Sequence, residues 1–147
     1  MSNWLVGIAA VGVLSVIFFW VFNPPNRFAQ AKNYQRLTAV NAIIDSYFYY
    51  IHTHQGQAPV DLKIGINYMI GSGMDFSGCL NQPTAAVIDL SYLAGKYISR
   101  LPIDPSSSAN SAKTYYYINR DADNKIIIGS CLAESLDGQK QSIYVRH

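Results

Sequence analysis

The chain has no acidic residue before Asp45 and no charge of either sign between Trp4 and Phe22. At about 1.5 Å per helical residue, these nineteen residues span roughly 28 Å, close to the hydrocarbon thickness of a bilayer. The run also lacks a basic segment ahead of it and a small-x-small cleavage site behind it, and it is too long for the core of a secretory signal. The pattern therefore does not read as a cleavable signal peptide, and a retained hydrophobic helix over residues 1–22 is expected. Charge is scarce throughout, at 14% of residues, and the net value of +2 is too small to indicate a nucleic-acid partner.

Other shortages exclude chemistry. Two cysteines and three scattered histidines cannot make a zinc site. His52 and His54 stand two apart near a helix end, point to different faces and read as solvated. There is no Gly-x-Ser-x-Gly, no phosphate loop and no carboxylate pair at an identifiable cleft. An enzyme is not expected, nor a cofactor. Asp121, Asp123 and Asn124 resemble the start of a calcium loop, but Ile126 and Leu132 replace its glycine and distal glutamate. The alternative is a hairpin turn, which favours Asp and Asn. No Asn-x-Ser/Thr sequon and no internal repeat is present.

The 147 residues are about one domain's worth; without the hydrophobic run roughly 120 remain, enough for one modest core. Cys79 and Cys131 are an even count, which in an exported domain favours one disulfide over two buried thiols. It would close a loop of about fifty residues, worth roughly 4 kcal/mol in the chain-entropy model.

Asn23, Pro24 and Pro25 predict a hinge over residues 23–27, because two prolines remove backbone donors. An amphipathic helix is expected over residues 28–55. Phe28, Ala31, Tyr34, Leu37, Val40, Ile44, Tyr47 and Ile51 form its apolar stripe, and Gln30, Asn33, Arg36, Asp45 and His52 its polar face. Gly56 and Pro59 stop it. Tyr47, Phe48, Tyr49 and Tyr50 cover all sides of this helix; they are either core with a few exposed tyrosines, or the outward ones contact neighbouring chains.

Residues 57–112 form a variable region, with a possible short strand at Ile64, Ile66 and Tyr68 and a short helix or turn over Val87 to Ser99. A β-meander over residues 113–147 follows, punctuated by turns at 120–124 and at Asp137-Gly138. The expected fold class is α+β, a long N-terminal helix with an apolar and an amphipathic half, packed on a small antiparallel sheet.

Several of these residues carry a resemblance. The Asn23-Pro24 break leads into Phe28-Ala29-Gln30-Ala31-Lys32-Asn33, then Gln35-Arg36. Farther on come Tyr97-Ile98-Ser99-Arg100-Leu101-Pro102-Ile103-Asp104-Pro105 and Tyr115-Tyr116-Tyr117-Ile118. This arrangement, over nearly the whole chain, resembles the type IV pilins and type II secretion pseudopilins. The resemblance implies a structural subunit of an extracellular filament that polymerises through its hydrophobic helix. Trp4, Leu5, Gly7, Ala9, Gly12, Leu14, Ile17, Phe18 and Phe22 would then pack helix on helix. The implied partners are further copies of the chain, the cytoplasmic membrane before assembly and a pilus assembly machinery. The implied location is a cell-surface filament with an unassembled pool in the cytoplasmic membrane. Calcium binding by some relatives makes Asp121, Asp123 and Asp137 weak candidates for that ion.

The sequence departs from the family at its start. The usual glutamate is replaced by Leu5 or Asn3, depending on the landmark used, and no short basic leader precedes the run. Two alternatives stay open. One is a minor or tip pseudopilin of a secretion system, a role in which the glutamate is absent. The other is a bitopic, membrane-anchored binding domain that never polymerises. Arg27, Lys32 and Arg36 behind the run would by themselves place that domain in the cytoplasm.

Overall fold

The computed structural model describes residues 2–22, 24–74, 79 and 84–147. It is an α+β fold of two helices and one five-stranded sheet. Helix α1 covers Ser2–Phe22 and helix α2 covers Pro24–Thr53. The described side chains of α1 are those of residues 4–17, and among the described residues no helix is long and apolar enough to cross a membrane. One long helix was expected; two are described, flanking Asn23. Phe18, Phe22 and Asn23 lie outside the described side chains.

Of the hinge expected over residues 23–27, Asn23 lies outside the described residues. Residues 24–27 are already helical, and Pro24 and Pro25 occupy the first turn of α2. There a proline costs little, because the first N–H groups of a helix have no intrahelical partner and the ring presets a helical φ. The other end follows its glycine. Gly56 takes a left-handed φ of 84°, and its N–H reaches back to the Ile51 carbonyl at 2.9 Å. That closes the helix and turns the chain back across it.

Five strands follow: β1 (Asn67–Ile70), β2 (Thr84–Ile88), β3 (Tyr116–Arg120), β4 (Ile126–Ser130) and β5 (Tyr144–Arg146). Their order is β2-β1-β3-β4-β5. The sheet is mixed, which corrects the antiparallel expectation: β1 and β2 run parallel, and the other neighbours are antiparallel. A parallel pair needs a crossover rather than a hairpin. β1 also falls three residues beyond the alternation at Ile64. Val87 and Ile88 end β2 rather than opening a helix, and only Ser91–Leu93 makes a 3-10 turn. β3, β4 and β5 form the C-terminal meander.

α2 packs on the inner face of this sheet. Val40, Ile43, Ile44 and Tyr47 meet Ile70, Ile88, Leu90, Leu93, Tyr116, Ile118 and Ile128 in one buried cluster. On the far face, a Cβ at Gly129 would come within 2.5 Å of the Tyr117 ring, so only glycine lets that ring cross β4. Cys79 and Cys131 are joined by a disulfide spanning 52 positions, which ties Cys79 to the residue that follows β4.

The largest departure from the helical pattern is rotational. Arg36, assigned to the polar face, is 1% exposed, whereas Phe28 and Tyr34, assigned to the apolar stripe, are 72% and 73% exposed. Electrostatics decides this. The Arg36 guanidinium donates twice to the buried Asp104 carboxylate, through Nε at 2.7 Å and one Nη at 3.1 Å. Asn33 beside it accepts from the Glu134 N–H and donates to the Glu134 carbonyl, both at 2.9 Å. The two polar residues turn inward together, and the first half of the stripe turns out.

Replacing Arg36 by Ala strands the Asp104 charge in the interior, and the expected loss is about 3–5 kcal/mol of unfolding free energy. Urea titrations followed by circular dichroism measure it. The double replacement Arg36→Met, Asp104→Leu, which removes both charges of the pair and leaves Glu134 with Lys32, should recover most of that loss. Replacing both cysteines by Ser should cost about 4 kcal/mol in the same titration.

Candidate functional site

Every described side chain of α1, from Trp4 to Ile17, is exposed. Trp4, Leu5, Val6, Ile8, Val11, Val13, Leu14, Val16 and Ile17 are all more than half uncovered and lie on every side of the helix. A helix that is apolar all round is stable only when something apolar surrounds it. Gly7 and Gly12 have no atom within 4 Å of where a Cβ would stand, so another helix could approach there closely. The Ser15 hydroxyl donates to the Val11 carbonyl at 2.8 Å, which satisfies it inside its own helix. Ala9 is likewise uncovered.

α2 also carries uncovered apolar side chains, at Phe28, Tyr34 and Leu37. Tyr34 stands on a ridge between two grooves. One, of about 600 Å3, lies between the 34–42 face of α2 and residues 98–103. The other, of about 330 Å3, lies between Gln30–Leu37 and residues 136–144. Of the four consecutive aromatics, Tyr47 is buried and Tyr49 is exposed. Tyr49 is nevertheless engaged within the chain, edge-on to Tyr97 at 5.5 Å between ring centres. Tyr50 stacks on His54 at 3.9 Å. The hydrogen bond from Lys96, and then that from Thr53, holds the Tyr97 phenol below its ordinary pKa.

The acidic candidates are occupied by protein groups. Asp121 and Asp123 both accept from the Arg146 guanidinium, and Asp121 also accepts from the backbone N–H of Asp123 and of Lys125, each at 2.9 Å. Asp137 lies in the other turn and accepts from Asn26. Among the described residues no three metal-ligating side chains gather to hold an ion. The arrangement is a hairpin turn closed by an arginine. Desolvation pushes the Asp121 carboxyl up, but the bonds from Lys125, Arg146 and Asp123 together outweigh it, and its pKa is lowered.

Sequence reasoning missed the inward cluster of Arg36, Asp104, Asn33 and Glu134. It also missed a cavity at the far end of α2 that contains Arg120. The available signal for the first was Asp104, a lone carboxylate between two prolines, with few cations to partner it. No protein-family model, curated protein or solved structure matches the chain.

A group whose folded pKa is lowered stabilises above its unfolded pKa and stops doing so as pH falls through the lowered value. The unmodified chain should therefore lose stability on acidification through and below the ordinary carboxylate range. The Asp121→Asn chain should show a flatter profile there. Thermal midpoints measured between neutral pH and about pH 3 compare the two.

Proposed function

We propose that this chain is a structural subunit of an extracellular, type IV pilus-like filament, and that it polymerises through its N-terminal hydrophobic helix. The observation that carries this reading is α1 itself: an apolar helix with every described side chain uncovered, joined to a domain that has completed its own core without it. In this reading copies of the helix bury one another. Before assembly the uncharged run from Trp4 to Phe22 sits in the cytoplasmic membrane. Lipid and filament core are both apolar, so moving the helix between them does not incur the full cost of transfer to water. Gly7, Ala9 and Gly12 allow close helix approach, and the exposed Phe28, Tyr34 and Leu37 add apolar surface beyond Pro24 and Pro25. The pilin-like likeness of the α+β fold, the assembly machinery as partner and the cell-surface location belong to the same proposal. The role is mechanical, with no catalytic step.

Electron microscopy of the purified full chain under assembling conditions tests this. Fibres are expected. Monomers or detergent micelles alone would favour the bitopic, non-polymerising anchor. Gly12→Leu adds a side chain where the isolated chain has open space. It should leave the domain's thermal midpoint unchanged and abolish or strongly shorten the fibres.

A further inference from the structure

At the end of the domain away from α1, a cavity of about 450 Å3 opens under the last turns of α2. Three elements wall it. Tyr47, Phe48 and Ile51 come from α2; Ala58, Val60, Asp61 and Leu62 come from the segment that Gly56 turns back; Arg120, Asn124 and Ile126 come from the β3–β4 hairpin. The His147 ring, edge-on to Phe48 at 4.5 Å, stands at the rim. The volume falls within the range of small-molecule sites, and the mixture of apolar walls with a few polar groups is the composition such sites have.

Arg120 makes the cavity more than a void. Alternation along β3 puts it on the same face as Tyr116 and Ile118, which lie in the core. It is half-buried, and among the described residues it forms no ion pair. The other inward arginine, Arg36, has its carboxylate. Asp61 lines the same cavity, yet the two do not approach to salt-bridge distance. Tyr47 and Arg120 line the same cavity; burial raises the Tyr47 phenol, and the Arg120 charge pulls part of that back. A planar fork of donors on a half-dry wall fits a carboxylate, and the neighbouring phenol adds a donor.

We propose that this cavity binds a small organic monocarboxylate with a branched apolar body, its carboxylate on Arg120 and its hydrocarbon against Phe48, Ile51, Val60, Leu62 and Ile126. Asp61 sets the charge limit: beside it a dianion meets repulsion that a monoanion does not. The site stands apart from α1 and does not depend on the filament reading.

The test is an NMR titration of the full chain in nonionic micelles with isovalerate, isoamyl alcohol and isoamyl phosphate as probes. Isovalerate should bind saturably and shift the amides of residues 56–62 and 120–126. Isoamyl alcohol and isoamyl phosphate should each bind at least tenfold more weakly. Arg120→Gln, titrated in the same micelles so that probe partitioning cancels, should weaken isovalerate at least tenfold. Arg120→Lys keeps the charge without the fork and should fall between; it decides the matter if the glutamine chain does not fold. The proposal is overturned by no saturable isovalerate binding, by equal binding of the alcohol or the phosphate, or by undiminished binding to both Arg120 variants.

Discussion

The ion pair between Arg36 and Asp104 fixes the rotation of α2 about its own axis, and much of the molecule follows from that angle. A buried pair of this kind adds little net stability, because desolvating two charges offsets most of their attraction. Its geometry is nevertheless demanding. Two donors of one guanidinium must meet two oxygens of one carboxylate. Asp104 is in turn held by the Ser106 N–H at 2.9 Å and stands between Pro102 and Pro105 in a stretch with little freedom. Any rotation of α2 that would bring Phe28 and Tyr34 inward would break the fork. The pair acts as a register pin rather than as glue.

From that pin the helix divides into two working halves. Beyond Val40 its inward face is aliphatic and aromatic and completes the core with β1, β3 and β4. Before Val40 the inward face is polar and holds Asp104 and Glu134, which leaves the aromatic side chains facing out. One helix thus stabilises its own domain with one half and offers apolar surface with the other. α1 carries that offer to its limit, with no described side chain covered.

Elements set by local chemistry were legible in the sequence. The meander could be read because tyrosine- and isoleucine-rich runs are separated by Asp-Asn and Asp-Gly turns. The end of α2 could be read because Gly56 adopts a conformation that few other residues tolerate. The cysteine pair followed from its even count. What could not be read was set by partners far along the chain. Arg36 looks like a solvated cation until Asp104, sixty-eight positions away, is brought beside it. β2 could not be recognised as a parallel neighbour of β1, because periodicity reports burial and not strand direction. Pro24 and Pro25 looked like a break because proline stops a helix from within, yet it is tolerated at a start. The Arg120 cavity draws on three separated segments and leaves no local pattern at all.

The disulfide has a mechanical meaning as well as a thermodynamic one. It subtracts the chain between Cys79 and Cys131 from whatever length a load can draw out of the domain. Those 52 positions correspond to about 180 Å of extended chain. Pulled until its sheet parts, the domain would still keep β2, β3 and β4 inside a closed covalent ring. Only the stretches on either side of that ring could lengthen, which caps the extension of the domain and leaves a compact nucleus for recoil.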